Sequence, residues 1–170
     1  MESVAGHLLI AAPGLEDPNF GGAVVYIIDH DDEGAVGVVI NQPTETPIAL
    51  HFEELARFVT TPDVFFVGGP VAPDTVLGVG RTGVRLTIVD LDAVASGELI
   101  VDGLRLFAGY SGWGSRQLDT ELLRSDWIVV DGFDGDVFAP KPEDLWREIL
   151  RRQGGATARL SLYPDSPMLN

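Results

Sequence analysis

Residues 23–40 constrain the fold more than any other stretch of the chain. Residues 23–30 (AVVYIIDH) and 35–40 (AVGVVI) are two apolar, β-branched runs joined by the short acidic segment DDEG. Runs of this kind bounded by turn residues read as strands, and so short a connection makes them antiparallel neighbours. Both arms are apolar on both sides, so both faces of the hairpin must be covered. The hairpin is therefore expected near the centre of a sheet, with other elements packed above and below it.

Further strands are read at residues 7–12 (HLLIAA), 64–67 (VFFV), 76–80, 84–89, 104–108 (LRLFA) and 127–130 (WIVV). Residues 13–22 (PGLEDPNFGG) form an ordered loop. Residues 47–59 have helical spacing, with Thr46 as N-cap, Pro47 in the first helical position and Leu50, Leu55 and Phe58 on one face. Residues 91–95 make a single helical turn before Gly97. Residues 109–114 read as a glycine-rich loop, after which Ser115 caps a helix running to Arg124 with Leu118 and Leu122 inside. The best helix spans residues 142–153, with acids in its first turn, arginines in its last and Gly154 just beyond. Its core face is Leu145, Trp146, Ile149 and Leu150. From residue 158 the chain is expected to begin a strand and then become tail.

Hairpins outnumber βαβ units in this reading. That argues for a mixed sheet with helices around it, not a doubly wound parallel sheet. No repeat or linker divides the chain, so residues 1–170 are expected to form a single α/β domain with 1–5 and 164–170 as flexible ends. A length of 170 residues supports one real core, and 45% apolar with 22% charged residues is globular composition. No run of apolar residues is long enough for a membrane helix. No basic segment followed by an apolar one marks export, so a cytoplasmic location is expected. The chain has no cysteine, which excludes disulfides, thiol catalysis and Cys-ligated metals.

Eleven basic residues face 26 acidic ones, a net charge of −15. Binding to nucleic acid draws on cations that displace counterions from phosphates, so direct contact with DNA is disfavoured. Arg147, Arg151, Arg152 and Arg159 cluster in sequence, and the first three suit the negative end of a helix dipole.

Four motifs suggest chemistry, and the first three fail a test of context. Residues 78–83 (GVGRTG) fit a dinucleotide fingerprint, but a strand follows where a helix is needed, so they read as a hairpin turn. Residues 29–34 (DHDDEG) begin like a calcium loop, but its twelfth position is Ile40 instead of a bidentate glutamate. Residues 109–113 (GYSGW) resemble a nucleophile elbow, but Trp113 stands at the fifth position and no histidine is tied to Ser111. Gln117 and Glu121 share a helix face near Trp113 and could hold a polar ligand or satisfy nearby backbone donors. No catalytic residue, metal or cofactor is assigned.

Five segments together carry a resemblance. Residues 8–20 (LLIAAPGLEDPNF), 24–30 (VVYIIDH), 34–43 (GAVGVVINQP), 66–71 (FVGGPV) and 109–122 (GYSGWGSRQLDTEL) have the order and spacing of the YqgE/AlgH family, which the chain resembles from Gly6 to about Leu162. One departure is Gly21-Gly22, where many relatives have a basic or hydroxyl pair, and this removes any site relying on such a group there. The resemblance implies one α/β domain with a branched mixed sheet, partly rolled into a barrel and surrounded by helices. It implies no established catalytic activity, and its association with transcriptional regulation does not require DNA contact. The functional expectation is a regulatory or interaction protein working through a protein or small-molecule partner. The alternatives are an enzyme using Asn19, Asn41, Tyr110 and Glu121, or direct DNA binding through residues 147–159. The candidate binding surface is Asn19, Phe20, Asn41, Tyr110, Trp113, Gln117 and Glu121.

Overall fold

The computed structural model describes residues 2–164, so Met1 and the tail expected over 165–170 lie outside the described residues. The central hairpin forms β2 (Val24–Asp31) and β3 (Gly34–Val39), inside the sheet as expected. β1 (Leu8–Ala11) pairs with β2, and β9 (Trp127–Val130) pairs with β1, each antiparallel. Side chains alternate across a strand. Leu8, Ile10, Val24 and Val38 therefore pack on one face, and Leu9, Ala11, Val25 and Val39 on the other. Leu145, Ile149 and Leu150 of helix α4 (Leu145–Gln153) cover the first face. Leu118 of helix α3 (Gln117–Leu123) covers the second.

On the other flank of the hairpin, β8 (Leu104–Trp113) belongs to two parts of the sheet. Its last residues pair with β3, Ser111 opposite Gly37 and Trp113 opposite Ala35. Its first half runs parallel to β5 (Val64–Val67) and antiparallel to β6 (Val71–Thr82). β4 (Pro43–Pro47) extends the sheet beyond β5, and β7 (Arg85–Val89) pairs with β6 alone. The order is β4-β5-β8-β3-β2-β1-β9, with β6 and β7 branching from β8. The result is a single α/β domain whose mixed, branched sheet curls into a half-barrel. Leu104 and Leu106 of β8 pack with Leu55 of helix α1 (Glu53–Ala56) and Val94 of helix α2 (Leu91–Ser96) in a further cluster.

The switch in β8 happens at Gly109. There the backbone has φ 75°, and it crosses the Gly68–Gly69 segment at close range. A Cβ on Gly69, at φ 155°, would lie 2.2 Å from Tyr110 O, and one on Gly109 would lie 2.6 Å from Gly69 O. Both approaches are closer than real Cβ contacts, so both positions need glycine. The crossing is hydrogen-bonded: Gly68 N–H donates to Ala108 O at 3.0 Å, and Gly68 O accepts from Val39 N–H at 2.9 Å and Ser111 Oγ at 3.0 Å.

Several local expectations are corrected. Residues 109–114 are not a loop, because Tyr110 to Trp113 continue the strand by pairing with β6 and β3. Ser115 does not cap α3; its hydroxyl donates to Asp32 O at 2.8 Å, and Arg116 takes the N-cap in a left-handed conformation. Residues 47–59 do not form one helix, and Thr46 is not its cap. Residues 43–47 instead form an edge strand, where a proline's missing N–H costs little. Thr44 Oγ1 donates to Phe65 O at 2.7 Å and Ile48 N–H to Asp63 O at 2.9 Å, so sheet bonds capture the start of the expected helix. What remains is a short 3-10 turn and α1, with Leu50 74% exposed. After residue 154 the chain is helical, not extended, with α5 (Gly155–Arg159) running into a 3-10 turn at Leu160–Leu162. At the other end, Ser3 Oγ donates to His30 O at 2.9 Å and Val4 N–H to His30 Nδ1 at 3.0 Å.

Arg105 went unmarked by any pattern. It is fully buried on β8, and its guanidinium lies 4.3 Å from the centre of the Phe66 ring. Nη1 donates to Val137 O and Ala139 O, and Nη2 to Thr60 O and Thr61 O. Among the described residues no carboxylate pairs with it, and Nε has no partner. Burial pulls its pKa down to about 10.

Two substitutions check these constraints. Gly69→Ala forces a backbone clash and should lower stability by about 3 kcal/mol or more, read as a drop in the urea midpoint. Arg105→Lys presents a compact ammonium in place of a fork and should also cost about 3 kcal/mol, because carbonyls of 60–61 or 137–139 lose their donors.

Candidate functional site

The seven residues singled out from sequence fall into three groups. Phe20, Trp113, Gln117 and Glu121 come together over the α3 face of the sheet. The Phe20 ring stacks on Trp113 at 6.0 Å and meets Trp127 edge-on at 5.5 Å, and the two indoles are 6.2 Å apart. The Gln117 side chain accepts from Gly114 N–H at 3.0 Å, so it fixes the entry to α3. Tyr110 packs instead with the opposite core, beside Phe66 and Phe107, because three residues along a strand reverse the side.

Asn19 and Asn41 belong to the third group, the 13–22 loop and its anchor. Asn41 Oδ1 accepts from Val24 N–H and its Nδ2 donates to Gly22 O, each at 2.9 Å. One side chain thus ties the end of the loop to the start of β2. Asn19 acts through its backbone, its N–H donating to Asp17 Oδ1 at 2.8 Å. Phe20 N–H shares the same acceptor at 3.1 Å, which orients the Phe20 ring toward the tryptophans. The loop therefore turns one aromatic into the core and leaves its backbone facing outward.

That outward face makes a cleft of about 170 Å³ against α4, lined by Leu15, Glu16, Asn41, Glu143, Trp146 and Arg147 among others. Of the seven residues, Asn41 is the one in its wall. Gly21 and Gly22 also line it, so this wall is bare main chain. The Trp146 ring is set by Nε1 donating to Ala11 O at 3.1 Å. The Arg147 guanidinium lies over that ring at 5.5 Å and donates to Ser161 O and Tyr163 O. Glu16 and Glu143 are exposed and have no hydrogen bond or ion pair among the described residues. The cleft thus combines an indole covered by Arg147 with two exposed carboxylates that make no ion pair among the described residues. Sequence reading named Trp146 only as a core residue, and the position of Glu16 opposite α4 arises from tertiary folding alone.

The AlgH-like family profile matches residues 8–158. The chain belongs to the AlgH-like family. A UPF0301 protein of Streptomyces coelicolor is 46% identical, over 100% of this chain and 97% of that protein. A UPF0301 protein of Mycobacterium leprae is 40% identical, over 94% and 87% respectively. A crystal structure of a Corynebacterium diphtheriae protein, DIP2367, matches with TM-score 0.88 and 32% identity over 96% of this chain and 94% of that one. The solution structure of the AlgH protein from Pseudomonas aeruginosa matches with TM-score 0.72 and 27% identity, over 96% and 98%.

The buried polar groups of this AlgH-like chain are committed to structure. Ser111 is fully buried and donates to Gly68 O, so it is not set up as a nucleophile. His30 is buried with Nδ1 accepting from Val4 N–H, which leaves the proton on Nε2. Nε2 lies 3.2 Å from Asp119 Oδ1, close but poorly aligned, since that oxygen makes no well-directed hydrogen bond. At the hairpin tip, Asp29 Oδ1 accepts from His30 N–H and Asp31 Oδ1 from Glu33 N–H, so both serve turn geometry. Among the described residues no three metal-ligating side chains converge. Residues 78–83 lie in the β6–β7 hairpin, with Gly83 at its tip in a left-handed conformation.

Glu121 is the polar group least well accommodated. Burial pushes its carboxyl above the ordinary value of 4.5; the Trp113 indole partly opposes this, Asp126 adds to it, and Arg124 and Trp127 oppose it more weakly. Its Oε2 and the buried Trp127 Nε1 both lack a well-formed hydrogen bond. Because the folded carboxyl holds its proton to higher pH than the unfolded one, stability falls as pH rises from 4.5 through the raised value. Glu121→Gln should remove this fall. The variant is expected to melt no lower than the parent near neutral pH, and to lose that advantage at about pH 4. Thermal melts across the range measure both.

Proposed function

We propose that this AlgH-like protein is a cytosolic binding protein, and that any regulatory role it has runs through a small ligand held between the 13–22 loop and α4. The observation that carries the reading is the pair of exposed carboxylates, Glu16 and Glu143, which make no ion pair among the described residues, beside the fixed Trp146 ring. A concave site with an aromatic wall and a few convergent polar groups is the usual form of a small-ligand site. Two carboxylates against the one Arg147 guanidinium in the lining, together with the net −15, favour a cationic ligand held by Glu16 and Glu143 beside the Trp146–Arg147 pair. The same charge disfavours direct contact with DNA.

The test is thermal shift and titration calorimetry with putrescine, agmatine and lysine at constant ionic strength. At 100 times its dissociation constant a bound amine stabilises the fold by about 2.7 kcal/mol, which is several degrees. A Glu16→Gln/Glu143→Gln double variant alters only exposed side chains and should keep the parent melting point without ligand while losing the shift. An equal shift in parent and variant, or none above that of sodium chloride, rules the reading out.

A further inference from the structure

We propose a second site, independent of that cleft: a groove between β4 and β6 built for a flat aromatic molecule carrying a cationic head. The groove exists because the strands on both sides of the parallel pair β5–β8 bulge away from it. On one side Pro43 faces Phe66 and Pro47 faces Val64, so residues 44–46 exceed what the ladder can pair. On the other side Val71 faces Tyr110 and Val76 faces Ala108, so residues 72–75 loop outward. The second bulge holds Ala72 at φ 47°, a left-handed conformation that a non-glycine residue rarely adopts. Bulges re-aim side chains next to functional sites, and backbone held in such a region is found where the surroundings enforce it.

Between the bulges lies an open groove of about 470 Å³. Phe65 and Ala108 form its floor, and Phe52, Pro73 and Val76 its apolar sides. Phe65 meets Phe52 and His51 edge-on, at 6.0 and 5.8 Å, so the wall offers aromatic surface to a planar guest. The helical cover stops short of this floor. α1 and α2 pack on Leu104 and Leu106, while Ala108, on the same side of β8, stays half-exposed with no side chain to fill the space. Thr44 Oγ1 is spent on Phe65 O, but the side chains of His51 and Asp74 make no hydrogen bond or ion pair among the described residues. Asp74 is carried by the outward bulge to the rim. A lone carboxylate over an aromatic floor matches a ring system with a protonated amine. A lipid tail would gain nothing from the exposed Asp74 charge at the rim. None of the groove residues lines the α4 cleft.

The experiment is a titration of the full chain, followed by backbone amide NMR, with three probes that share one ring: tryptamine, indole and indole-3-acetate. Saturable shifts at Thr46, Phe65, Val76 and Ala108 are expected, with tryptamine binding tightest and indole-3-acetate weakest. Asp74→Asn should weaken tryptamine about fivefold and leave indole unchanged, as for loss of one exposed charge pair. Ala108→Leu should block all three; if it unfolds, Asp74→Asn alone decides. Equal affinity for tryptamine and indole-3-acetate, shifts centred away from the groove, or no saturation with any probe would overturn the proposal.

Discussion

The backbone crossing of Gly68–Gly69 over Gly109–Tyr110 is the contact on which the architecture rests. It lets a single strand, β8, leave the parallel partner β5 and join β3 without a break. The N–H and C=O of the one residue Gly68 bond to β8 and β3, with the Ser111 hydroxyl as a further donor. The hairpin half, with α3 and α4, and the branched half, with α1 and α2, are one sheet because of it. Its tightness also explains why Ser111 is sealed inside: the hydroxyl is part of the joint.

Both candidate sites lie where main-chain pairing is interrupted, not where the glycines are densest. The α4 cleft is walled by a loop whose backbone is held by Asn41, and the groove by two bulges. This follows from the requirement that buried backbone groups be paired. Regular strands have no spare donors or acceptors and no concavity. Irregular segments at the surface have both, provided something rigid supports them. Here the support is the double-faced sheet of β1, β2 and β3 for the cleft and the β5–β8 pair for the groove.

Much of this was legible in the chain, for reasons that differ residue by residue. The hairpin at 23–40 announced itself because a strand covered on both faces has no polar alternation to confuse the reading. The helix ending at Gly154 was legible because acids, arginines and a terminal glycine all point the same way. Residues 109–113 misled because glycine signals both a turn and a close approach, and only the partner strand distinguishes them. Residues 47–59 misled because their helical spacing is real, but Thr44 and Ile48 bond across to the 63–65 segment first. Of the seven residues expected to share one surface, Phe20, Trp113, Gln117 and Glu121 come together in the structure, while Tyr110 joins the opposite core and Asn19 and Asn41 serve the 13–22 loop. The partnership of Glu16 with Glu143 could not be seen, since it joins segments more than a hundred residues apart in sequence.

Arg105 carries a consequence for how the molecule assembles. Its charge is solvated by carbonyls from residues 60–61 on one side and 137–139 on the other. A guanidinium leaves water readily only when replacement acceptors are in place. The full set of acceptors exists only when both segments are in place, so displacing either one leaves part of the guanidinium buried without a partner or draws water to it. The docking of 60–61 and that of 137–139 are thereby linked through one side chain, although the two segments lie far apart in sequence.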